Sequence, residues 1–173
     1  MAEAQPLPRS ALFIDKSLES VELSSRGLSD LSVLSGCTSL VSVTLCRNVH
    51  LRSCDGLDRC RSLWSVDMRG CALTSVDALL GLGALSELQL GGNRLELASA
   101  LHLRSMALGR LGLQANPLLP ADIRTKLGVH DDRSDSRLLR SFLVDMLPCV
   151  IALDDTFITS SERHECREYF GST

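Results

Sequence analysis

The segment LSELQLGGNRL, from Leu85 to Leu95, decides the fold of this chain. Its apolar residues follow the spacing L-x-x-L-x-L, and Asn93 and a further leucine come after them. The alternation at the centre of this spacing predicts a short strand whose leucines point to one side. One such strand buries little surface alone, so the segment indicates that similar strands pack beside it.

The same pattern occurs five times at a regular interval. The other copies are LESVELSSRGL, LVSVTLCRN, LWSVDMRGCAL and LGRLGLQANPL. The five leading leucines, separated by 22, 23, 22 and 23 residues, are Leu18, Leu40, Leu63, Leu85 and Leu108. This period indicates a solenoid whose strands stack in parallel about 4.8 Å apart. The residues between the leucines then line one concave sheet.

The rest of each repeat fits the same solenoid. In the repeat proteins that this pattern resembles, the ninth position normally carries an Asn whose amide satisfies backbone groups at a turn. The ninth residues are Arg26, Asn48, Cys71, Asn93 and Asn116. Arg26 departs from the pattern, as suits a first repeat that caps the solenoid, and Cys71 is a small substitute. Apolar residues further on predict 3₁₀ or short helical turns on the convex side, namely Leu28, Leu31, Leu34, Leu51, Cys54, Leu57, Leu73, Val76 and Leu79.

From Leu18 to about Leu118, the chain resembles the leucine-rich repeat family, in its short class found in a phosphatase regulatory subunit and in many axonemal proteins. The last third is similar to the C-terminal cap of intracellular members. That similarity rests on Asn116-Pro117, Leu147-Pro148, Val150, Leu153-Asp154, Ile158-Thr159 and Glu162-Arg163. A U2 spliceosomal leucine-rich protein and an axonemal dynein light chain have such a cap. The resemblance implies an α/β fold, with a parallel concave sheet, a 3₁₀ or helical convex side and a helix-strand cap.

These features divide the chain into five parts. We expect a flexible N-terminus over 1–11, five repeats over 12–118, an insertion loop over 119–136, the cap over 137–163 and a charged tail over 164–173. RLLRSFLVDML predicts the cap helix, which Pro148 ends, and Val150, Ile151 and Leu153 predict one more strand. SSERHECREYF alternates in charge and predicts a helix that continues out of the cap as a docking arm.

Composition narrows the class of protein. A chain of 173 residues suits one domain, and its start lacks a basic stretch followed by an apolar run, so a soluble, unsecreted protein is expected. The formal net charge of −3 gives no broad attraction to nucleic acid or to a membrane, and direct contact with either is not expected. Seven cysteines without a C-x-x-C pair predict free thiols in a reducing, cytoplasmic compartment.

Carboxylates in the last third of the chain raise the question of a catalytic or metal-binding site. Asp154 and Asp155, taken as neighbours on a strand, point to opposite faces, so a shared metal or proton is not expected. Asp154 is predicted instead to accept backbone N–H bonds at a turn. The run His130-Asp131-Asp132 with Asp135 lacks the Gly and terminal Glu of a calcium loop. The concave positions hold no Ser-His-Asp set, Cys-His pair or phosphate loop, so neither catalysis, a cofactor nor a metal is expected.

The outward strand residues form the predicted binding face. They are acidic at Glu22, Asp67 and Glu87 and basic at Arg69 and Arg110. Rigid concave sheets hold a helix or an extended segment of a partner. Trp64, the only tryptophan, is interpreted either as a binding anchor or as a partly buried edge residue. The candidate partner-binding residues are Glu22, Thr44, Trp64, Asp67, Arg69, Glu87, Gln89, Arg110 and Gln114.

The resemblance also implies a function. Small proteins with this repeat class and cap are often axonemal, which implies a non-catalytic adaptor subunit of a ciliary or flagellar complex. Its protein partners would be dynein, radial-spoke or tubulin-associated, and its location cytoplasm, cytoskeleton, cilium or flagellar axoneme. One alternative is a splicing-type ribonucleoprotein subunit whose concave sheet holds a helix of an RNA-binding partner. Another is a phosphatase regulatory subunit, which would carry a denser row of acids and aromatics over more repeats.

Overall fold

The five predicted repeats form five parallel strands. The computed structural model describes residues 13–119 and 132–171, with side chains from residue 137 in the second range. The repeats contribute β1 (Ser20–Glu22), β2 (Ser42–Thr44), β3 (Ser65–Asp67), β4 (Glu87–Gln89) and β5 (Arg110–Gly112). Each strand pairs with the next in parallel, and the central residue of each points into the core. The predicted N-terminal part over 1–11 and residues 120–131 of the predicted insertion lie outside the described ranges.

The leucines of the repeats share one continuous core. The leading leucines of the second to fifth repeats are buried, whereas Leu18 in the first repeat is 43% exposed. Each buried leucine side chain contributes about 1.5–3 kcal/mol through the removal of apolar surface from water. The partly exposed Leu18 agrees with a first repeat that ends the solenoid.

The convex side contains the predicted short helical turns in the first and third repeats, whereas the second repeat has turns without a 3₁₀ or α-helix. It carries 3₁₀ turns at Ser32–Leu34, Asp77–Leu79 and His102–Ser105 and the helix α1 at Leu97–Leu101. The nine apolar residues predicted for this side are all buried. Gly56 lies there with φ of +106°, and a Cβ on it would lie 2.5 Å from the carbonyl oxygen of Leu31. The second repeat therefore packs against the first through a position that only glycine fits.

The ninth-position asparagines connect successive repeats. Asn48 is fully buried, and its Oδ1 accepts hydrogen bonds from the N–H groups of Arg26 at 3.1 Å and Leu28 at 3.0 Å. Its Nδ2 donates to the carbonyl oxygens of Leu23 at 3.0 Å and Leu45 at 2.7 Å. Asn93 and Asn116 each accept one N–H of the preceding repeat and donate to two carbonyls, one in their own repeat and one in the preceding repeat. The predicted role of this position is confirmed.

Cys71 replaces the amide with a thiol in the third repeat. Its Sγ donates to the carbonyl oxygen of Leu45 at 3.3 Å, so one of the bonds of an asparagine is retained. The Arg26 side chain is exposed, in keeping with its place in the first repeat.

The cap adds a helix and a two-stranded hairpin to the end of the sheet. Helix α2 spans Asp132–Met146, so it begins before the predicted start at Arg137 and includes the end of the predicted insertion loop. Strand β6 (Ala152–Leu153) pairs in parallel with β5 and confirms the predicted sixth strand. Strand β7 (Thr156–Phe157), which the sequence did not predict, pairs antiparallel with β6.

Helix α3 (Ser160–Gly171) corrects the predicted docking arm. The helix is present, but it packs back against α2 instead of continuing away from the cap. The rings of Phe142 and Phe170 meet edge to face with centroids 5.7 Å apart, and Arg140 Nε lies 2.7 Å from Glu162 Oε1. The predicted boundary between cap and tail falls inside this helix. No helix in the described ranges has the length and apolarity needed to cross a bilayer.

Asp154 and Asp155 form the turn between β6 and β7, and the expectation that both lie on a strand is wrong. Their φ angles are +51° and +60°, the left-handed pair typical of two-residue hairpins. Asp154 Oδ1 accepts hydrogen bonds from the N–H groups of Leu113 at 2.6 Å and Gln114 at 2.9 Å. The predicted role of Asp154 as an acceptor of backbone bonds is therefore confirmed.

Replacement of Asp154 by alanine is expected to lower the free energy of unfolding by about 1–3 kcal/mol, because two N–H groups lose their acceptor. Asp154→Asn keeps an acceptor oxygen and tolerates the left-handed backbone, so its loss should be clearly smaller. Asp155→Ala is the matched control, since it shares the backbone conformation without these bonds. Urea unfolding followed by circular dichroism measures all three, and equal losses in the two alanine variants would contradict the role given to the carboxylate.

Candidate partner-binding face

The predicted binding residues lie on the concave surface and at its margins. The first strand residues align in one column, Ser20, Ser42, Ser65, Glu87 and Arg110. The third strand residues align in a second column, Glu22, Thr44, Asp67, Gln89 and Gly112. Arg69 and Gln114 follow the strand ends, and Trp64 directly precedes β3. The structure thus brings the predicted residues to one surface, and their role in binding stays a prediction.

Asp67 is held by Arg69 and Cys46. Arg69 Nε lies 3.0 Å from Oδ1 and Nη2 lies 2.6 Å from Oδ2, while Cys46 Sγ donates to Oδ1 at 3.0 Å. Burial of Asp67 acts to raise its pKa, but the hydrogen bonds from Arg69 and Cys46 outweigh burial and leave the pKa below its ordinary value. Asp67 therefore stays ionised, and the cluster is an internally neutralised part of the face.

A second ion pair lies on the first column. Arg110 Nε is 3.4 Å from Glu87 Oε1, and the guanidinium carbon lies 5.7 Å from the centroid of the Phe157 ring. This distance is within the range of a cation–π interaction. Arg110 thus contacts both a carboxylate and an aromatic ring.

Two glutamine side chains cover the concave surface of the fourth and fifth repeats. A Cβ on Gly112 would collide with Gln89 Oε1, and a Cβ on Gly91 would lie 2.8 Å from Gln114 Cδ. The glutamines therefore lie flat over glycine backbone, which a larger residue at either position would prevent. Among the described residues, Gln89 Oε1 is the buried side-chain polar atom without a hydrogen-bond partner.

Exposed apolar side chains follow the edge of the sheet where the strands begin. We call this set, Val41, Trp64, Ile151 and Phe157, the apolar edge; their exposed fractions are 39%, 48%, 57% and 64%. Val41, Trp64 and Ile151 directly precede β2, β3 and β6. Sequence reasoning selected Trp64 alone. A comparison of this one position across the repeats would have found the two aliphatic residues, whereas Phe157 belongs to the unpredicted strand β7.

All seven cysteines are free thiols, as predicted, and differ in access to solvent. Cys149 is exposed and Cys46 is half-buried; the buried ones are Cys37, Cys54, Cys60, Cys71 and Cys166. Burial raises the pKa of the Cys54 thiol to about 12 and that of Cys60 to about 11. Since the thiolate is the reactive form, Cys54 and Cys60 are protected from alkylation both by burial and by their raised pKa, and the other buried thiols are protected by burial.

Iodoacetamide at neutral pH is therefore expected to modify Cys149 rapidly in the folded protein and the other cysteines only after unfolding. Intact mass spectrometry of native and denatured samples measures this difference. Cys149→Ser should remove the rapid step. Rapid modification of Cys46 in that variant would contradict the protection given by burial and by its hydrogen bond to Asp67.

The described ranges contain no group of three His, Cys, Asp or Glu side chains placed to hold a metal ion. The candidates His130 and Asp131 lie outside these ranges, and the side chains of Asp132 and Asp135 are not described.

The solved structures that are similar to this chain include the following three. A chain of the Drosophila melanogaster SNF/U2A' complex has a TM-score of 0.65 and 21% identity, over 86% of this chain and 80% of that one. Internalin inlF of Listeria monocytogenes has a TM-score of 0.56 and 16% identity, over 79% of this chain and 41% of its own. Internalin C2 of the same organism has a TM-score of 0.54 and 20% identity, over 82% of this chain and 54% of its own. No protein-family model and no curated protein matches the chain.

Proposed function

Because this chain has the leucine-rich repeat fold, we propose that it is a non-catalytic adaptor subunit that holds a helix or segment of a partner protein on its concave face. One observation carries the proposal: Asp67 pairs with Arg69 and Glu87 with Arg110 on this face, while apolar side chains beside them stay exposed. Paired charges are not left without a counter-charge when a partner covers them, and exposed apolar groups gain stability through burial. Such a surface is suited to stable contact with protein.

The finer proposal is an axonemal adaptor with dynein, radial-spoke or tubulin-associated partners, in the cytoplasm or in a cilium or flagellum. It rests on the combination of short repeats with the C-terminal cap. A splicing-type ribonucleoprotein subunit is the second candidate, and a specific observation favours it: similarity to a chain of the SNF/U2A' complex extends over 86% of this chain. In both candidates the contact made by this chain is with protein.

Affinity capture of the full chain from cells, followed by mass spectrometry, tests the function. The concave variant is Asp67→Ala with Arg69→Ala, which removes the ion pair at the centre of the face. The convex control is Asp77→Ala with His102→Ala, which removes another exposed pair, in which Nδ1 lies 2.8 Å from Oδ1. We expect the concave variant to lose partners that the control retains, with little change in thermal midpoint for either.

The identity of the captured proteins separates the two candidates. Dynein, spoke or tubulin-associated proteins would support the axonemal proposal, and splicing factors would replace it with the second. Partners retained equally by the concave and convex variants would contradict binding on the concave face.

A further inference from the structure

We propose that the apolar edge contains a notch for one large aliphatic or aromatic side chain, presented by an amphipathic helix of the partner. The floor of the notch is Ser86 and Gly109, and its walls are Trp64 and Ile151. This inference rests on the proposed function and names the kind of segment that is bound.

Hydrogen bonds fix the order of these residues along the edge. The N–H of Ser86 donates to the carbonyl of Trp64 at 2.9 Å, that of Gly109 to Ser86 at 2.9 Å, and that of Ile151 to Gly109 at 2.8 Å. Trp64 and Ile151 therefore stand three strand spacings apart, about 14 Å between backbones. Only a hydroxymethyl group and a hydrogen atom lie between them as side chains. Two half-exposed apolar side chains therefore flank a gap that contains only small ones.

Gly109 keeps the floor of the notch low. A Cβ on this residue would lie 3.3 Å from Ser86 Oγ and 4.0 Å from Ile151 Cγ1. Any larger side chain at this position would therefore project into the space between the walls. A group placed at this position would therefore lie within van der Waals reach of Ile151.

The backbone of the edge favours a helix over an added strand. Each of the carbonyls of Val41, Trp64, Ser86 and Gly109 accepts two N–H groups from the next repeat or the cap. The Ile151 carbonyl accepts the N–H of Ile158 at 2.9 Å. An added strand needs free backbone donors and acceptors, which this row does not offer. A helix satisfies its own backbone and can dock through side chains alone.

The charges beside the notch favour an apolar anchor. Glu87 and Arg110 follow the two floor residues in the chain and pair with each other at 3.4 Å, and Arg110 also contacts Phe157. A charged anchor would have to compete with this pair or lie partly desolvated without a counter-charge. An apolar anchor leaves the pair intact and covers Trp64 and Ile151.

Selection of displayed helices against the full chain tests the notch. The probe is a phage library of one stable helical scaffold with a randomised exposed face lacking tryptophan. We expect the selected helices to share one Leu, Ile, Met or Phe anchor, and its change to alanine should raise Kd roughly tenfold or more. Bound helices should also shift the emission of Trp64, the only tryptophan in the chain.

Filling the notch provides the decisive variant. Gly109→Leu is expected to raise Kd by roughly the same factor, and Gly83→Leu is its matched control, because a Cβ on Gly83 meets nothing within 4 Å. If Gly109→Leu fails to fold, Ser86→Leu fills the same floor from the neighbouring strand. Helices that bind equally to the filled and unfilled chains, or that leave Trp64 emission unchanged, would overturn the notch. That result would not contradict binding on the concave face, which the affinity capture tests separately.

Discussion

Asn48→Ala is expected to lower the free energy of unfolding by about 3–4 kcal/mol, because it leaves several buried backbone groups without partners. The amide of Asn48 bonds two N–H groups and two carbonyls across the first and second repeats, and the residue is fully buried. A methyl group replaces none of these bonds. The measurement is equilibrium unfolding in urea, in which the dependence of the free energy of unfolding on urea concentration is compared between variants.

Two further variants test whether the loss of stability in Asn48→Ala comes from these hydrogen bonds. Asn48→Cys copies the residue that the third repeat carries at Cys71, whose thiol donates to one carbonyl, so an intermediate loss is expected. Asn116→Ala, at a half-buried position near the cap, should cost less than Asn48→Ala. If all three variants unfold together with the wild type, the asparagine bonds do not contribute to the stability of the solenoid.

Arg163→Ala is expected to lower the free energy of unfolding by about 2–4 kcal/mol, through the loss of two charge-assisted hydrogen bonds. The Arg163 guanidinium donates to the carbonyl of Val144 at 2.9 Å and to that of Val150. The Val144 carbonyl lies in the last turn of α2, where no further helical N–H can reach it. Arg163 thus joins α3, the end of α2 and the segment that enters β6.

Arg167→Ala is the matched control for the cap, since Arg167 is exposed on the same helix. The free energy of unfolding of Arg163→Lys should lie between those of the wild type and of Arg163→Ala, because one ammonium cannot reproduce the two-armed geometry of the guanidinium. Hydrogen exchange at the amides of α3 should quicken in Arg163→Ala before global unfolding. Equal protection of α3 in Arg163→Ala and Arg167→Ala would contradict the role of Arg163 in holding the cap.

The repeats could be predicted because their stabilising residues are present in the one-dimensional pattern. The buried leucines and the ninth-position asparagines recur at fixed places in the repeat. The positions of the strands and their parallel order could therefore be predicted. The cap was only partly predictable. Its motif located Asp154 and the Glu162-Arg163 pair, but β7 is a two-residue strand with exposed side chains and leaves no alternation to find. The return of α3 onto α2 depends on contacts between residues distant in the pattern, such as Arg140 with Glu162.

The binding face was likewise only partly predictable from the sequence. Alternation along the strands placed the concave residues, because successive side chains of a strand point to opposite faces. The pairing of Asp67 with Arg69 and of Glu87 with Arg110 depends on rotamers and on the approach of neighbouring repeats, which spacing does not give. Apart from Trp64, the apolar edge was missed: Val41 and Ile151 occupy a position that the leucine pattern leaves free, and Phe157 lies on the unpredicted strand β7. Because the leucine pattern leaves this position free, the pattern also does not identify the partner.

The antiparallel pairing of β7 with β6 determines where such a chain can gain length. Another parallel strand beyond the cap would need the outer edge of β6, and β7 already occupies it. A duplicated unit of 22 or 23 residues could instead enter between two existing repeats, where each repeat offers the next the same ladder bonds. In evolutionary terms, growth on the cap side of such a chain would occur within the solenoid and would carry the last hairpin along unchanged.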